Sequence, residues 1–542
     1  MTQDNSARPS PPPSGYLCHW LTRRQEVFLL ILLAVLVRMV AFNQPYTSEH
    51  WIKQLQVAPI AKNFYLHGYK LWWPEVDYSA DRPNFIEIEF QLVAFLAALL
   101  YKLFGIHAWV GRLVTIGFSL GTMLLLYRLL RLHLGDRPAL YGLLFFAFAP
   151  SSWFYAQAFM SEPAMLFFSV AAVYYFSRWL GLREPGQELT PAARGGGPWL
   201  FLAAAASTAL AALVKLPAVI ILLPLFYLAW VKWGWRVFSR GAAWLFLVIA
   251  LAPAALYYHH AQVDIGRYFF TVGVGREGGM WFSPHDFLHP QAYSLMVMRL
   301  LRDHLTAVGV VLLPLGLFLR PASRRAPGYF FHVWLGAVLL YFVVVSGGNL
   351  RQTYYQLPLL LPAAAFLGLG WDRLLGTGAA NRWSNAALVA IFLVLCAWGV
   401  QPFFKQYRPI TRAAAALKQL DPSRQPVIIL PPGYGCLYYF DRPGWVGRES
   451  MGRAESKVAP SDRPTPLYIT SRIPRGAHWA VYFTDAGAGG ARPDLEAFLR
   501  ATYRLAQTGA GFEILDLTRP ADPSPPPPPN TIAAPEEDQA TP

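Results

Sequence analysis

The feature that most restricts this chain is a succession of apolar runs separated by short segments rich in arginine and lysine. The first run is Glu26–Phe42, preceded by Arg23 and Arg24. Others lie near Val110–Leu132, Ala139–Phe159, Pro163–Leu180, Trp199–Val214, Pro217–Val231, Ala242–His259, Leu305–Leu319, Tyr329–Val345, Tyr354–Trp371 and Asn385–Phe403. A helix needs about twenty largely apolar residues to cross a bilayer, so the pattern predicts about eleven crossings. Phe90–Phe104 is only about fifteen residues long and reads as interfacial or re-entrant. The composition agrees: 55% of the residues are hydrophobic and 14% charged, where an ordinary globular chain carries about 25% charge. A soluble globular protein, a disordered chain and a disulfide scaffold are excluded. The three cysteines, Cys18, Cys396 and Cys436, are far apart and lack metal-ligand spacing.

The net charge of +15 first suggests nucleic acid, but its distribution removes that reading. Arg23/Arg24, Arg128/Arg131/Arg137, Arg178/Arg183/Arg194, Lys232/Arg236/Arg240, Arg320/Arg324/Arg325 and Arg373/Arg382 fall at every second boundary between runs. Cations in short loops mark the cytoplasmic side. This places the N-terminus in the cytoplasm and everything after about Phe404 outside. The loop Asn43–Glu89, the turn Met160–Glu162, the loop around Asp264–Asp303, the turn Ser346–Thr353 and the C-terminal part then share the outer side.

Residues 1–25 read as a disordered cytoplasmic N-terminus and 26–404 as the membrane domain, with 43–104 as outer loop and interfacial helices. Residues 405–520 alternate helix-like ITRAAAALKQL with strand-like PVIIL, HWAVYF and GFEILDL, as a small extracytoplasmic α/β domain would. The Pro-rich tail, 521–542, reads as disordered. The expected fold is an all-α polytopic membrane protein with a long first outer loop and this C-terminal α/β unit.

Ionisable groups at membrane depth are expensive and so point to function. Glu87 and Glu89 stand where the first outer loop meets Phe90–Phe104. They are either site carboxylates or plain interfacial charges. Glu162 opens a crossing after Ser161 and before Pro163, so it serves either a site or its own helix terminus. Arg351, Tyr354 and Tyr355 stand at an outer helix entrance. The guanidinium suits a phosphate, and an aromatic belt with a snorkelling arginine is the alternative. Lys215, Arg267, Arg276 and Arg302 are weaker phosphate candidates. His259, His260, His285 and Asp286 read as polar loop residues, since no third ligand stands at metal spacing. No Walker A loop, dinucleotide fingerprint, nucleophile elbow or HExxH occurs, which disfavours nucleotide chemistry on the cytoplasmic side.

The stretches IEFQLVAFLAALLYKLFGIHAWVGRLVTIGFSLGTMLLLYRLLRL, AFAPSSWFYAQAFMSEPAMLFF and NLRQTYYQLPLLLPAAAFLGLG, in this order, resemble membrane glycosyltransferases of GT-C fold. The resemblance is to the dolichyl-phosphate-mannose-protein mannosyltransferase-like superfamily, which includes lipid A aminoarabinose and lipid-linked galacturonic acid transferases. It covers about Glu26–Phe403. It implies inverting transfer of a sugar from a polyprenyl-phosphate donor to a lipid, glycan or protein on the outer face of the membrane. A bacterial inner (plasma) membrane fits best, and nucleic acid is not an expected partner.

By the same resemblance, Glu89 matches the acid at the loop-to-membrane junction and Glu162 the acid opening the fourth crossing. Arg351, Tyr354 and Tyr355 match the turn near the donor phosphate, with Arg276 or Lys215 assisting. No cofactor is certain; a divalent metal ion is an option, with Glu89 and Glu162 as its ligands. The sequence departs from the pattern in three places. Gln54 and Gln56 stand where relatives carry an acid, the junction Glu89-Phe90-Gln91 lacks its proline, and Gln352 stands where His is common. A glutamine cannot be a base, so Glu49, then Asp77 or Asp81, becomes the expected base. Two rival readings remain. One is a transporter or lipid flippase, disfavoured because no pair of related halves is visible. The other is a catalytically inactive relative acting as a scaffold.

Overall fold

A computed structural model describes residues 22–81, 83–86, 88–182, 196–266, 281–282, 288, 290–319, 328–375, 380–430, 435–447, 464–484 and 492–522. Helices dominate. They run α1 Arg23–Arg38, α2 Trp51–His67, α3 Leu92–Phe104, α4 Ala108–Leu134, α5 Asp136–Phe148, α6 Pro150–Tyr155, α7 Glu162–Trp179 and α8 Pro198–Val214. After a 3-10 segment at Leu216–Ile221 come α9 Leu222–Trp233, α10 Gly241–His260, α11 Pro290–Arg299 and α12 Thr306–Leu317. The helical core ends with α13 Phe330–Val344, α14 Ser346–Arg351, α15 Leu360–Leu375 and α16 Ala380–Val400.

Among the described residues, six helical stretches are long and apolar enough to cross a membrane. The eleven expected crossings therefore stand as six by this measure. Several remaining apolar runs form helices that are too short on their own, such as α5 with 13 residues and α8 with 17.

Two sequence expectations are corrected. Ala139–Phe159 was expected as one continuous crossing. The helix instead stops at Phe148 and restarts at Pro150, because a proline disfavours helical backbone in the residue before it. The freed stretch folds back as a buried turn leading to Glu162. Arg302 and Asp303 were expected in an outer loop. They lie in a helical stretch, Tyr293–Leu317, through a π-helical turn at Leu300–Leu305 that ends on Thr306 at φ 60°. Such a turn and a positive φ on a β-branched residue mark stored strain.

The helices pack closely where small residues allow it. A Cβ on Gly368 of α15 would fall 2.1 Å from the Pro138 carbonyl oxygen of α5, so the two backbones touch as small-residue helix pairs do. Backbone cannot yield as a side chain can. Gly368→Val is expected to cost about 3 kcal/mol, read as a lowered unfolding midpoint in detergent, and an unchanged midpoint would contradict this packing.

Beyond α17 (Pro409–Leu420) the chain forms a five-stranded sheet from β1 Val427–Leu430, β2 Gly444–Val446, β3 Trp479–Tyr482, β4 Tyr503–Gly509 and β5 Phe512–Pro520. The order is β2-β1-β3-β5-β4; β1 is parallel to β2 and β3, and β5 is antiparallel to β3 and β4. Alternation sorts its side chains. Val427, Ile429, Val481 and Ile514 join the main core. Ile428, Leu430, Ala480 and Leu515 face a second cluster with Leu495 and Leu499 of the helix Pro493–Thr502. Being covered on both faces explains why β1 is apolar throughout.

The sheet is fastened to the first loop. Val446 N donates to the Tyr78 carbonyl at 3.0 Å, and Tyr439 Oη accepts from Tyr46 N at 2.6 Å. Gly435, in the left-handed region at φ +92°, comes so near that a Cβ would fall 1.9 Å from the Leu55 carbonyl oxygen of α2.

Candidate active site

The site is assembled around a helix end that proline creates. Pro217 has no N–H to give the Leu213 carbonyl four residues earlier. That carbonyl instead accepts from Tyr258 Oη at 2.9 Å and from Phe90 N at 3.3 Å. Helix α8 thus stops at Val214, leaving Lys215 in extended backbone (φ −158°, ψ 104°). The same bonds hold the junction before α3 against α8, and Tyr257 Oη adds a bond to the Ile88 carbonyl at 3.2 Å.

Four charged side chains meet there. Lys53, in the first turns of α2, donates to both oxygens of Glu89 at 2.9 Å. Lys215 Nζ stands 3.2 Å from Glu89 Oε1 and donates to Glu162 Oε1. It also lies over the rings of Tyr354 and Tyr355, 4.9 and 4.8 Å from their centroids. Burial is nearly complete: the Glu162 side chain is 1% exposed and that of Lys215 5%. Burial pushes the Glu89 carboxyl up, but Lys53 and Lys215 outweigh it and bring its pKa down to about 2. Glu89 is therefore a fixed anion and a poor proton acceptor. Glu162 Oε2 is buried without a hydrogen-bond partner among the described residues. Ser161 makes no side-chain capping bond to α7, and Glu162 gives one oxygen to Lys215.

Glu49 belongs to an adjoining cluster. Its side chain is 45% exposed and lies 3.5 Å from His50 Nε2. Burial and then Asp303 raise its pKa above the ordinary value, with Arg299 and Arg302 opposing. His50 is held neutral, its pKa about 3, by burial and by Arg299 against a hydrogen bond with Gln352. The His50 ring meets Tyr354 edge-on at 4.9 Å, which connects Glu49 to the tyrosines around Lys215. Arg299 itself donates to the Leu350 carbonyl at 2.7 Å.

The other expected residues are distributed as follows. Arg351 is exposed at the end of α14, while Tyr354 and Tyr355 are buried. Asp77 accepts from Asn63 at 3.0 Å; Asn63 follows Lys53 along α2 by about 15 Å of helix rise. Asp81 is taken up by the C-terminal sheet, accepting from Trp445 at 2.9 Å and pairing with Arg475 at 2.5 Å. Glu87, Arg267, Arg276, His285 and Asp286 lie outside the described residues. A divalent ion, the option left open between Glu89 and Glu162, does not fit the residues present. An ammonium already bridges the two carboxylates, and no group of three His, Cys, Asp or Glu that could hold a metal stands among the described residues.

Sequence reasoning missed Lys53 and underrated Lys215. The available signal was the scarcity of lysine beside arginine in this chain, together with two acids that need counter-charges when buried. Gln54, where the resemblance led one to expect an acid, is fully buried. It donates to Ser48 Oγ at 3.2 Å and to the Glu49 carbonyl at 3.1 Å, and accepts from Phe159 N at 3.3 Å. It pins the loop base to the turn before Glu162. Gln54→Ala strands these groups and is expected to cost about 1–3 kcal/mol. Thermal unfolding reads this directly, and a cost below the error of the measurement would contradict it.

Residues 91–258, which include Glu162 and Lys215, match the model of the dolichyl-phosphate-mannose-protein mannosyltransferase family. Among solved structures, that of ArnT from Cupriavidus metallidurans bound to undecaprenyl phosphate superposes with a TM-score of 0.66 at 14% identity, covering 91% of this chain and 98% of that one. The fold is that of the GT-C membrane glycosyltransferases. The archaeal oligosaccharyltransferase AglB from Archaeoglobus fulgidus, in complex with an inhibitory peptide and a dolichol-phosphate, shares this GT-C fold. Its TM-score is 0.55 at 13% identity, covering 89% of this chain and 73% of that one. An uncharacterized protein of Aquifex aeolicus (strain VF5) is 27% identical over 149 residues, 26% of this chain. The alignment spans about a third (34%) of that relative's length.

Proposed function

We propose that this protein transfers a sugar from a polyprenyl-phosphate-linked donor to a hydroxyl of a lipid, glycan or protein acceptor. The site would face the outer side of a bacterial inner membrane. The observation that carries this reading is the buried Glu162, one oxygen held by Lys215 and the other unpartnered, in a GT-C scaffold. The Glu162 Oε2 atom suits a sugar or acceptor hydroxyl. Glu49, a carboxyl with a raised pKa beside the cluster, takes the hydroxyl proton as the acceptor oxygen bonds to the anomeric carbon. The bond from that carbon to the phosphate oxygen breaks in the same in-line step, inverting the configuration. The leaving lipid phosphate gathers negative charge, which cations must stabilise. Arg351, exposed at the helix entrance, and Arg299, bonded to the adjacent Leu350 carbonyl, are the groups we assign.

Two apolar hollows support a lipid-linked donor. Immediately after Lys215, Pro217, Ala218 and Ile221 face Trp334, Val338 and Tyr341 of α13 around a narrow cavity. Further along, Phe226, Tyr227 and Trp230 of α9 and Val333 and Ala337 of α13 line a groove of about 420 Å³, within the size of lipophilic ligand sites. The unit at 405–520 is assigned to closing the first loop over the site.

The test is sugar release from a radiolabelled polyprenyl-phosphate sugar by the purified protein in nanodiscs. Transfer to a hydroxyl acceptor, lost in Glu162→Gln, is the expected result. A protein that moves the labelled lipid between leaflets without cleaving it is a flippase. One that does neither, across a panel of donors, is a scaffold.

A further inference from the structure

We infer that Lys215 takes the place that a divalent cation would otherwise occupy between Glu89 and Glu162, so that this chain carries its counter-cation covalently. The inference rests on the proposed site but concerns its electrostatics alone. Two carboxylates face one another across a single ammonium, which stands 3.2 Å from Glu89 Oε1 and hydrogen-bonds Glu162 Oε1. Lys53 answers the remaining charge of Glu89, so two anions meet two cations and no net charge is left for an ion to balance.

The walls around Lys215 Nζ favour the ammonium. Tyr354 and Tyr355 present ring faces at 4.9 and 4.8 Å, which attract an organic cation. A hard divalent ion wants six or more oxygen ligands at about 2.0–2.6 Å, and ring faces supply none. Meanwhile Glu162 Oε2 is buried and unpartnered among the described residues. Taking away the lysine side chain would therefore leave both Glu162 oxygens unpartnered beside Glu89, excess negative charge and a vacated space of ammonium size into which water can bring an ion's remaining oxygen ligands. The residues that exclude a metal in the native protein become a metal site when Lys215 is removed.

The probe is Mn²⁺ alone, added to the full chain in detergent, with binding followed by the electron paramagnetic resonance of free Mn²⁺ and by thermal unfolding. The native protein is expected to show no binding that depends on Glu162 and no change in unfolding midpoint with Mn²⁺ or EDTA. Lys215→Ala is expected to bind one Mn²⁺ at least tenfold more tightly and to be stabilised by it. Lys215→Ala/Glu162→Gln loses that gain. Native binding that disappears in Glu162→Gln overturns the inference, as does a folded Lys215→Ala with no gain. Should Lys215→Ala resist purification, the native protein against Glu162→Gln decides: equal Mn²⁺ behaviour supports the inference. No donor enters the measurement, so a protein that transfers no sugar still answers it.

Discussion

Lys215→Ala is expected to lower stability by about 3–5 kcal/mol, because removing one partner of a buried ion pair leaves the other charge uncompensated. The stranded group is Glu162, 1% exposed, whose Oε1 has Lys215 as its partner. Glu89 suffers less, since Lys53 still holds both of its oxygens. The double variant Lys215→Ala/Glu162→Gln removes the stranded charge together with its partner. It should recover more than half of the lost stability while remaining inactive. Thermal unfolding of the four members of this cycle, without added metal, measures the coupling. Additive losses would mean that the two side chains do not interact as their geometry requires.

The second large effect falls on rate. Glu49→Gln is expected to reduce transfer about 10²–10⁴-fold, the usual worth of a general base, with little change in unfolding midpoint because the side chain is 45% exposed. The pH dependence carries the sign. Burial, then Asp303, holds the Glu49 pKa above the ordinary carboxylate value, and a base acts only when deprotonated. Transfer therefore falls as pH drops through that raised pKa. Asp303→Asn removes one raising cause and leaves Arg299 and Arg302 to lower it. The acid limb of kcat/KM should then move to lower pH. A limb that stays in place, or moves upward, removes Glu49 from the role.

What could be read from the chain depended on the range of the signal. Membrane helices announce themselves through composition over about twenty residues, so the helical class and the terminal sheet were both legible. Continuity was less so: Ala139–Phe159 is apolar throughout, and one proline at 150 breaks it into α5 and the short α6, with a buried turn after them. Tyr354 and Tyr355 were named with Arg351 for a donor phosphate, and their rings lie against the ammonium of Lys215. Lys53 was out of reach. Its partner Glu89 lies 36 residues away, and nothing local shows that α2 turns this lysine inward. Asp81 illustrates the opposite error. A carboxylate in the right loop looked available, yet Arg475, 394 residues later, claims it.

Such long reaches bear on how the protein is made. Tyr46, at the start of the first loop, bonds a tyrosine 393 residues further on. A ribosome adding about 5–20 residues per second needs about 20–80 s to bridge that interval. Throughout it, the surface of α2 that later receives Gly435 and Tyr439 must wait unclosed. Truncated translation products should therefore insert their helices yet present this surface to proteases and chaperones until synthesis ends.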